Sequence, residues 1–100
     1  MADRGWMRWT WDPVKARRNL RVHRVSFELA ALALGDPHLA TQPDPHPDGD
    51  RWTTLAGIAG VVLFIVHTWP DEDDPDPVGR IISARRATSH ERRAYEEEQG

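Results

Sequence analysis

The stretch Val61-Val62-Leu63-Phe64-Ile65-Val66 decides the fold class of this chain of 100 residues. Alternate residues of a strand face opposite sides of a sheet, so six apolar residues in a row predict a central strand that is covered on each side. We place this strand at residues 61–69. A second strand at 51–56 precedes it across a glycine-flanked turn at 57–60. Strands joined by so short a link are expected to pair antiparallel.

A third strand is predicted at residues 78–86, after an acidic loop at 70–77 that reads PDEDDPDP. Regular alternation along this strand predicts two faces. One face carries Ile81, Ser83 and Arg85. The opposite face carries Arg80, Ile82, Ala84 and Arg86.

Three helices are predicted from their start signals. Asp12-Pro13 supplies an N-cap and a first helical residue, and the helix runs over 13–23. Ser26 caps a short second helix that stops at Gly35. Thr88-Ser89-His90-Glu91 is a capping box, and it opens a final helix to about residue 98.

The spacing of side chains on the first helix predicts which of them face the core. Ala16, Leu20 and His23 recur at helical intervals and form the predicted core-facing stripe, with Asn19 on its edge. Lys15, Asn19 and His23 align along one ridge of the same helix.

Two further segments complete the chain. Residues 6–11, with three tryptophans, are predicted to be a short first strand, and residues 41–50 (TQPDPHPDGD) an exposed connection without regular structure. The order is then β-α-α-β-β-β-α in one domain over residues 1–100. This is an α+β fold, with a small antiparallel sheet on which two N-terminal helices and a C-terminal helix pack.

The composition of the chain excludes several kinds of functional site. The chain has no cysteine, which excludes disulfides, thiolate metal sites and a cysteine nucleophile. The N-terminus lacks the apolar core of a signal peptide, and the longest apolar run, residues 55–66, is too short to span a membrane. We therefore expect a cytoplasmic protein with no membrane partner. No histidine pair has the spacing of metal ligands, and we expect no metal or other cofactor.

The net charge of -3 averages segments of opposite sign. Residues 1–35 carry seven cations and three carboxylates, residues 36–79 one cation and nine carboxylates, and residues 80–100 five cations and four carboxylates. Of the 13 cations 12 are arginine, which binds phosphate through two parallel hydrogen bonds. The two basic segments form an anion-binding face if the fold brings them together, and are otherwise solvated helix faces.

Four stretches of the sequence together carry a family resemblance. They read Trp11-Asp12-Pro13-Val14-Lys15 with Asn19-Leu20; His23-Arg24-Val25-Ser26-Phe27-Glu28-Leu29-Ala30; Asp50-Arg51; and Arg80-Ile81-Ile82-Ser83-Ala84-Arg85-Arg86-Ala87 with Glu91-Arg92-Arg93-Ala94-Tyr95-Glu96. In this order and spacing, over about residues 9–97, the chain resembles the BrnT family of bacterial toxins, which is similar to the RelE-type ribonuclease toxins.

The resemblance implies a RelE-like fold and a toxin that cleaves RNA and is neutralised by a cognate antitoxin. The implied antitoxin is a BrnA-like ribbon-helix-helix protein, and the toxin meets DNA only through it. Two positions depart from the family pattern, which usually reads Lys-His-Gly-Val-Ser-Phe-Glu. Val22 replaces the lysine and removes a cation. Arg24 replaces a glycine expected to end the helix in the left-handed conformation, which costs another residue about 1 kcal/mol.

Cleavage of RNA without a metal needs a base for the 2′-hydroxyl, a cation for the phosphate and an acid for the leaving 5′ oxygen. We expect Arg85 and Arg51 to stabilise the phosphate, Lys15 to clamp it and His23 to transfer a proton. Other arginines of the basic segments are expected to contact RNA: Arg17, Arg18, Arg80 and Arg86. Two residues of the last helix are further catalytic candidates, although Glu91 also fits a capping role and Tyr95 a packing role.

Two other functions stay open at this point. A family member that has lost catalysis would hold the antitoxin and tune repression, and Val22 and Arg24 favour this alternative. A helix-turn-helix that binds DNA directly is the second, but its second helix is mostly alanine and leucine and lacks side chains that read bases.

Overall fold

Eight elements make up the part of the chain that the structure describes. The computed structural model describes residues 8–45, 47, 49–69 and 73–99. In chain order the elements are β1 (Arg8–Thr10), α1 (Pro13–His23), α2 (Phe27–Ala33), β2 (Ala40–Pro43), β3 (Trp52–Ile58), β4 (Val61–His67), β5 (Val78–Arg86) and α3 (Ser89–Gln99). The predicted α+β class is confirmed. Residues 6 and 7 of the predicted first strand and residues 70–72 of the acidic loop lie outside the described residues.

The five described strands form one sheet in the order β1-β5-β4-β3-β2, with β4 at the centre as predicted. The pairs from β2 to β5 are antiparallel. β1 instead pairs in parallel with β5, so the prediction of an antiparallel sheet was wrong at this edge. Two helices and three strands separate β1 from β5 along the chain, and so long a connection permits a parallel pair.

β2 occupies residues that the sequence predicted to be irregular. Ala40 lies opposite Leu55 and Pro43 opposite Trp52, so the first three residues of the connection predicted at 41–50 belong to a strand. This proline-rich segment has little strand preference of its own. An edge strand pairs on one side only, which is where proline is tolerated, and the free edge of β3 supplies the partner.

The sheet has a covered face and an open face. α1 and α2 pack on the covered face, where Phe27, Leu63 and Ile65 are fully buried. α3 packs on the other side over β3 and β4, and farther along these strands Thr53 and Val66 are only half-buried. We call this side the open face. The prediction that β4 is covered on each side is therefore only partly right: α3 covers part of β4 on the open face and leaves the end near Val66 half-buried.

α1 faces the sheet through Ala16, as predicted, and through Asn19, which was predicted only at the edge of the stripe. Leu20 and His23 are exposed, whereas Asn19 is only 7% exposed. The Asn19 amide donates to the carbonyl oxygens of Val25 and Ala84, at 2.9 and 2.7 Å, and its Oδ1 accepts from the Ala84 N–H at 3.2 Å. Ala84 lies beyond the part of β5 that pairs with β1, so Asn19 supplies hydrogen bonds that a strand would otherwise make.

A β-bulge in β5 shifts the alternation of its side chains. His67 lies opposite Ile81 but Val66 lies opposite Ser83, which leaves Ile82 as the extra residue. The predicted faces of β5 were therefore wrong on the N-terminal side of Ile82.

The bulge changes the residues that share the open face. Ile81 and Ala84 are both buried on the covered face. Arg80, next to Ile81, consequently falls on the open face together with Arg85, from which the sequence had separated it. Arg86 lies opposite Leu63 of the covered face and keeps its predicted side, at the exposed end of the strand.

The predicted helix starts are confirmed. The Asp12 carboxylate accepts from the Val14 N–H at 2.9 Å, and the Ser26 hydroxyl accepts from the Leu29 N–H at 3.0 Å. These contacts join residues two or three positions apart, so the sequence alone specifies them.

Candidate functional site

Arg85 is held on the open face by three neighbouring groups. Its guanidinium lies 4.3 Å from the centre of the Phe64 ring. It donates to the two carboxylate oxygens of Glu91 at 2.8 and 3.0 Å and to the carbonyl of Arg86 at 3.1 Å. The hydrogen bond to Glu91 raises the pKa of Arg85, although partial burial opposes it. Arg85 is therefore a fixed cation that keeps 35% of its side chain exposed.

Glu91 both pairs with Arg85 and starts α3. Its Oε1 accepts from the Thr88 N–H at 2.8 Å, and its own N–H donates to the Thr88 hydroxyl at 3.1 Å, which confirms the predicted capping box. The Arg85 hydrogen bond, helped by Thr88, lowers the pKa of Glu91 to about 2. A carboxylate with so low a pKa stays ionised near neutral pH and is a weak proton acceptor.

A groove of about 440 Å³ lies between α3 and the open face, and we call it the α3 groove. The residues that line it come from β2, β3, β4 and α3: Ala40, Thr41, Gln42, Thr53, Leu55, Phe64, His90, Glu91, Ala94 and Glu98. Its floor is partly apolar and partly polar. The groove brings exposed His90 to the side chain that holds Arg85. In the sequence, His90 is visible only as an inner position of the predicted capping box, Thr88-Ser89-His90-Glu91.

Arg51 and Arg80 flank Thr68 at the other end of the open face. His67 is buried on the covered side and pairs with Trp52, so Arg51 and Thr68, one residue beyond them, fall on the open side. Thr68 donates its N–H to the Arg80 carbonyl at 2.9 Å, and its hydroxyl accepts from the Arg80 N–H at 3.0 Å. From the spacing of strands, the Cα atoms of Arg51 and Arg80 are about 10 Å apart.

Arg51 and Arg85 share the open face but do not touch. Arg85 lies opposite Phe64, which lies opposite Leu55, four residues from Arg51 on β3. Strand spacing and rise put the two arginine Cα atoms roughly 16 Å apart. The Nε of Arg51 is buried and has no hydrogen-bond partner within the described part of the chain.

A second groove, of about 300 Å³, lies between α1 and the free edge of β5, and we call it the α1 groove. It is lined by Lys15, Arg18, Asn19, Val22, His23, Ile82 and Ser83. The structure thus brings Lys15 and His23 together, but away from the α3 groove. Between Asp12 and Glu28 the chain carries five formally cationic side chains, Arg17 among them, and no carboxylate.

The other predicted site residues lie at the margins. Arg86 is exposed at the end of β5. Tyr95 is 8% exposed, and its hydroxyl donates to Asp36, which also accepts from the Gly57 N–H at 2.8 Å. A Cβ at Gly57 would lie 2.6 Å from the Tyr95 hydroxyl, so this close packing fits the interpretation of Tyr95 as a packing residue.

His67 is a buried structural histidine. Its Nδ1 lies 2.8 Å from the Thr68 carbonyl and its Nε2 lies 2.6 Å from the Thr54 hydroxyl. Because a carbonyl only accepts, Nδ1 carries the proton and Nε2 accepts from Thr54. Burial lowers the pKa of His67, so the ring is neutral at neutral pH.

The described residues contain neither a metal-binding cluster nor a membrane-spanning helix. No three histidine, aspartate or glutamate side chains in residues 8–45, 47, 49–69 and 73–99 gather closely enough to hold a metal ion. No helix within the same residues is long and apolar enough to cross a membrane.

Comparison with known protein families identifies the family of this chain. The profile of one family, described as "Ribonuclease toxin, BrnT, of type II toxin-antitoxin system", matches residues 11–91. The chain belongs to the BrnT family. Membership of a type II toxin-antitoxin family implies an antitoxin partner. No curated protein matches the sequence closely enough to count as a relative.

The two departures from the BrnT pattern have visible structural effects. Val22 is 57% exposed in the α1 groove, where a lysine would add a further cation. Arg24 ends α1 at φ 61° and ψ 26°, in the left-handed region, and its N–H donates to the Leu20 carbonyl. The helix therefore ends in the way expected of the family's glycine, but with a residue that is strained there.

Proposed function

We propose that this BrnT-family protein is the toxin of a toxin-antitoxin pair and that it cleaves RNA. The observation that carries the proposal is the family match, which spans most of the chain from α1 to the first turn of α3. The proposed substrate places the activity in the cytoplasm, on RNA phosphodiester bonds.

The distribution of charge supports an RNA-binding surface. The open face carries Arg51, Arg80 and Arg85, and the α1 groove adds Lys15 and Arg18. Ser83 lines the α1 groove and lies two residues from Arg85 on β5, so the two regions meet at the edge of that strand. Cations on two adjoining surfaces fit the backbone of a single RNA strand.

Arg85 is the proposed cation for the transition state. Glu91 and Phe64 fix its guanidinium, so it needs little reorganisation when negative charge develops on the phosphate. We assign Arg51 and Arg80 to a neighbouring phosphate, since the separation of the backbones keeps Arg51 away from Arg85.

The remaining predicted contacts lie at the edge of this surface. Lys15, Arg17 and Arg18 clamp the strand along α1, and Arg86 extends this surface at the end of β5. His23 is the proton-transfer residue that the sequence analysis favoured, and it lies with Lys15 in the α1 groove.

The proposed reaction is attack by the 2′-hydroxyl without a metal. The 2′ oxygen forms a bond to phosphorus as the bond to the 5′ oxygen breaks, which leaves a 2′,3′-cyclic phosphate and a 5′-hydroxyl. The chain's own side chains supply the positive charge and the proton donor that this reaction needs.

Cleavage of a labelled single-stranded RNA, without ribosomes and with chelator present, tests the proposal. We expect the wild type to leave 2′,3′-cyclic ends and Arg85→Ala to lose at least 100-fold in rate. Arg93→Ala is the matched control, because it removes one exposed arginine of α3 that lines neither groove. Equal cleavage by all three proteins would show a contaminant or a wrongly assigned site.

The proposed partner is a BrnA-like ribbon-helix-helix antitoxin, through which the toxin reaches DNA. A second candidate function, a catalytically silent protein that only binds this antitoxin, is favoured by the pairing of Arg85 with Glu91 and by Val22 in the α1 groove. Tight antitoxin binding without RNA cleavage would support this candidate over the ribonuclease.

A further inference from the structure

His90 lies at the mouth of the α3 groove in a position fixed by its neighbours. Thr88 caps α3 and Glu91 is locked by Arg85, so the first turn that carries His90 is tied to β5. Its imidazole is exposed and lines the groove together with Glu91. Glu91, which fixes the Arg85 cation, and a solvent-accessible imidazole thus line one groove of a size typical for small-ligand sites.

The other described histidines lie elsewhere. His67 is fully buried, and both of its ring nitrogens are in hydrogen bonds. His38 is exposed on the turn before β2. His23 lines the α1 groove, which Glu91, the residue that fixes Arg85, does not line. Of the histidines that the structure describes, His90 is the one that shares a groove with the residue that fixes Arg85.

We propose that His90 is the general acid of the RNA-cleavage reaction, an inference that rests on the proposed function. The His90 imidazolium gives its proton to the 5′ oxygen as the bond between that oxygen and phosphorus breaks. The 2′ oxygen forms the new bond to phosphorus and releases its proton to solvent water. The neutral imidazole then regains a proton from solvent.

Arg85 and His90 then have separate tasks. Arg85 stabilises charge on the non-bridging oxygens, and its pairing with Glu91 fixes its direction. His90 acts on the leaving oxygen only. Thr53 and exposed Gln42 on the groove floor offer hydrogen-bonding groups to the nucleotide next to the cleaved bond.

An RNA in which sulfur replaces the leaving 5′ oxygen tests the protonation of the leaving group separately from the rest of the reaction. A thiolate leaves without being protonated, so a missing general acid slows the normal RNA and spares the sulfur-substituted one. We expect His90→Ala to slow the normal RNA by at least 100-fold and the substituted RNA by less than about tenfold. His38→Ala, which changes an exposed histidine away from both grooves, is expected to stay within about twofold on both substrates.

The outcomes separate the possible errors. Equal slowing of both substrates by His90→Ala, in a variant with unchanged circular dichroism, would overturn proton donation by His90. Selective slowing by His23→Ala instead would place the donor in the α1 groove. If the wild type cleaves neither RNA, the proposed function fails. In that case ring resonances of His90 are followed by NMR during titration with an RNA that lacks the 2′-hydroxyl at the target position, and the absence of a shift overturns the placement of His90 as well.

Discussion

Removal of the Asn19 side chain is expected to destabilise the fold strongly. The buried amide makes three hydrogen bonds to the backbone, two with Ala84 of β5 and one with Val25. Asn19→Ala leaves these three backbone groups without partners, at about 1 kcal/mol or more each. The better helix propensity of alanine returns about 0.5 kcal/mol. We therefore expect a loss of about 3 kcal/mol, a large part of the 5–15 kcal/mol typical of a domain of this size.

Urea unfolding followed by circular dichroism measures this loss. In a thermal melt, the melting temperature should fall by about 12–24 °C. Arg17→Ala on the exposed side of α1 is the control and should change stability by less than about 0.5 kcal/mol. Asn19→Asp keeps the acceptor for the Ala84 N–H but turns a carboxylate toward two carbonyl oxygens. This variant should be less stable than Asn19→Ala at pH 7 and recover on acidification, when the protonated acid can donate. A loss below about 1 kcal/mol for Asn19→Ala would refute the reasoning.

Three further predictions concern strain and ionisation. Arg24→Gly removes the strain of the left-handed conformation but adds conformational entropy to the unfolded chain, so the free energy of unfolding should rise by about 0.5 kcal/mol. As a control, Arg21→Gly inside α1 should lower it by about 1 kcal/mol, and urea unfolding measures both changes. Burial lowers the pKa of His67 in the folded state, so the free energy of unfolding should be highest above pH about 6.5 and should fall as the pH drops below that value. A urea midpoint that stays constant from pH 7.5 to 5.5 would contradict this prediction. The lowered pKa of Glu91 affects stability at lower pH: the ionised Glu91 stabilises the fold above pH about 4.5, and this stabilisation is lost toward pH 2. Glu91→Gln should therefore lower the free energy of unfolding by about 1–2 kcal/mol at pH 7 and by much less at pH 2, as measured by unfolding curves at both pH values.

The sequence by itself determined the elements whose signals are local. Asp12, Ser26 and Thr88 each accept a hydrogen bond from a backbone N–H two or three residues ahead, so no distant partner is needed to start a helix. The bounds of α1 agree with the predicted 13–23 for this reason, and those of β5 agree with the predicted 78–86 because alternating side chains are a local signal of a strand. The candidate residues Lys15, Arg51 and Arg85 came from the family resemblance, which the family match supports but which left their geometry open.

Tertiary structure decided every feature that depends on a distant strand. β2 forms because the edge of β3 offers backbone partners, and β1 can lie parallel to β5 because two helices and three strands connect them along the chain. The bulge at Ile82 arises where β5 follows β4 and turns toward β1, and it moves Arg80 onto the open face. Asn19 is buried because the edge of β5 beyond β1 needs hydrogen bonds. Such contacts join residues tens of positions apart, and local sequence patterns therefore do not predict them.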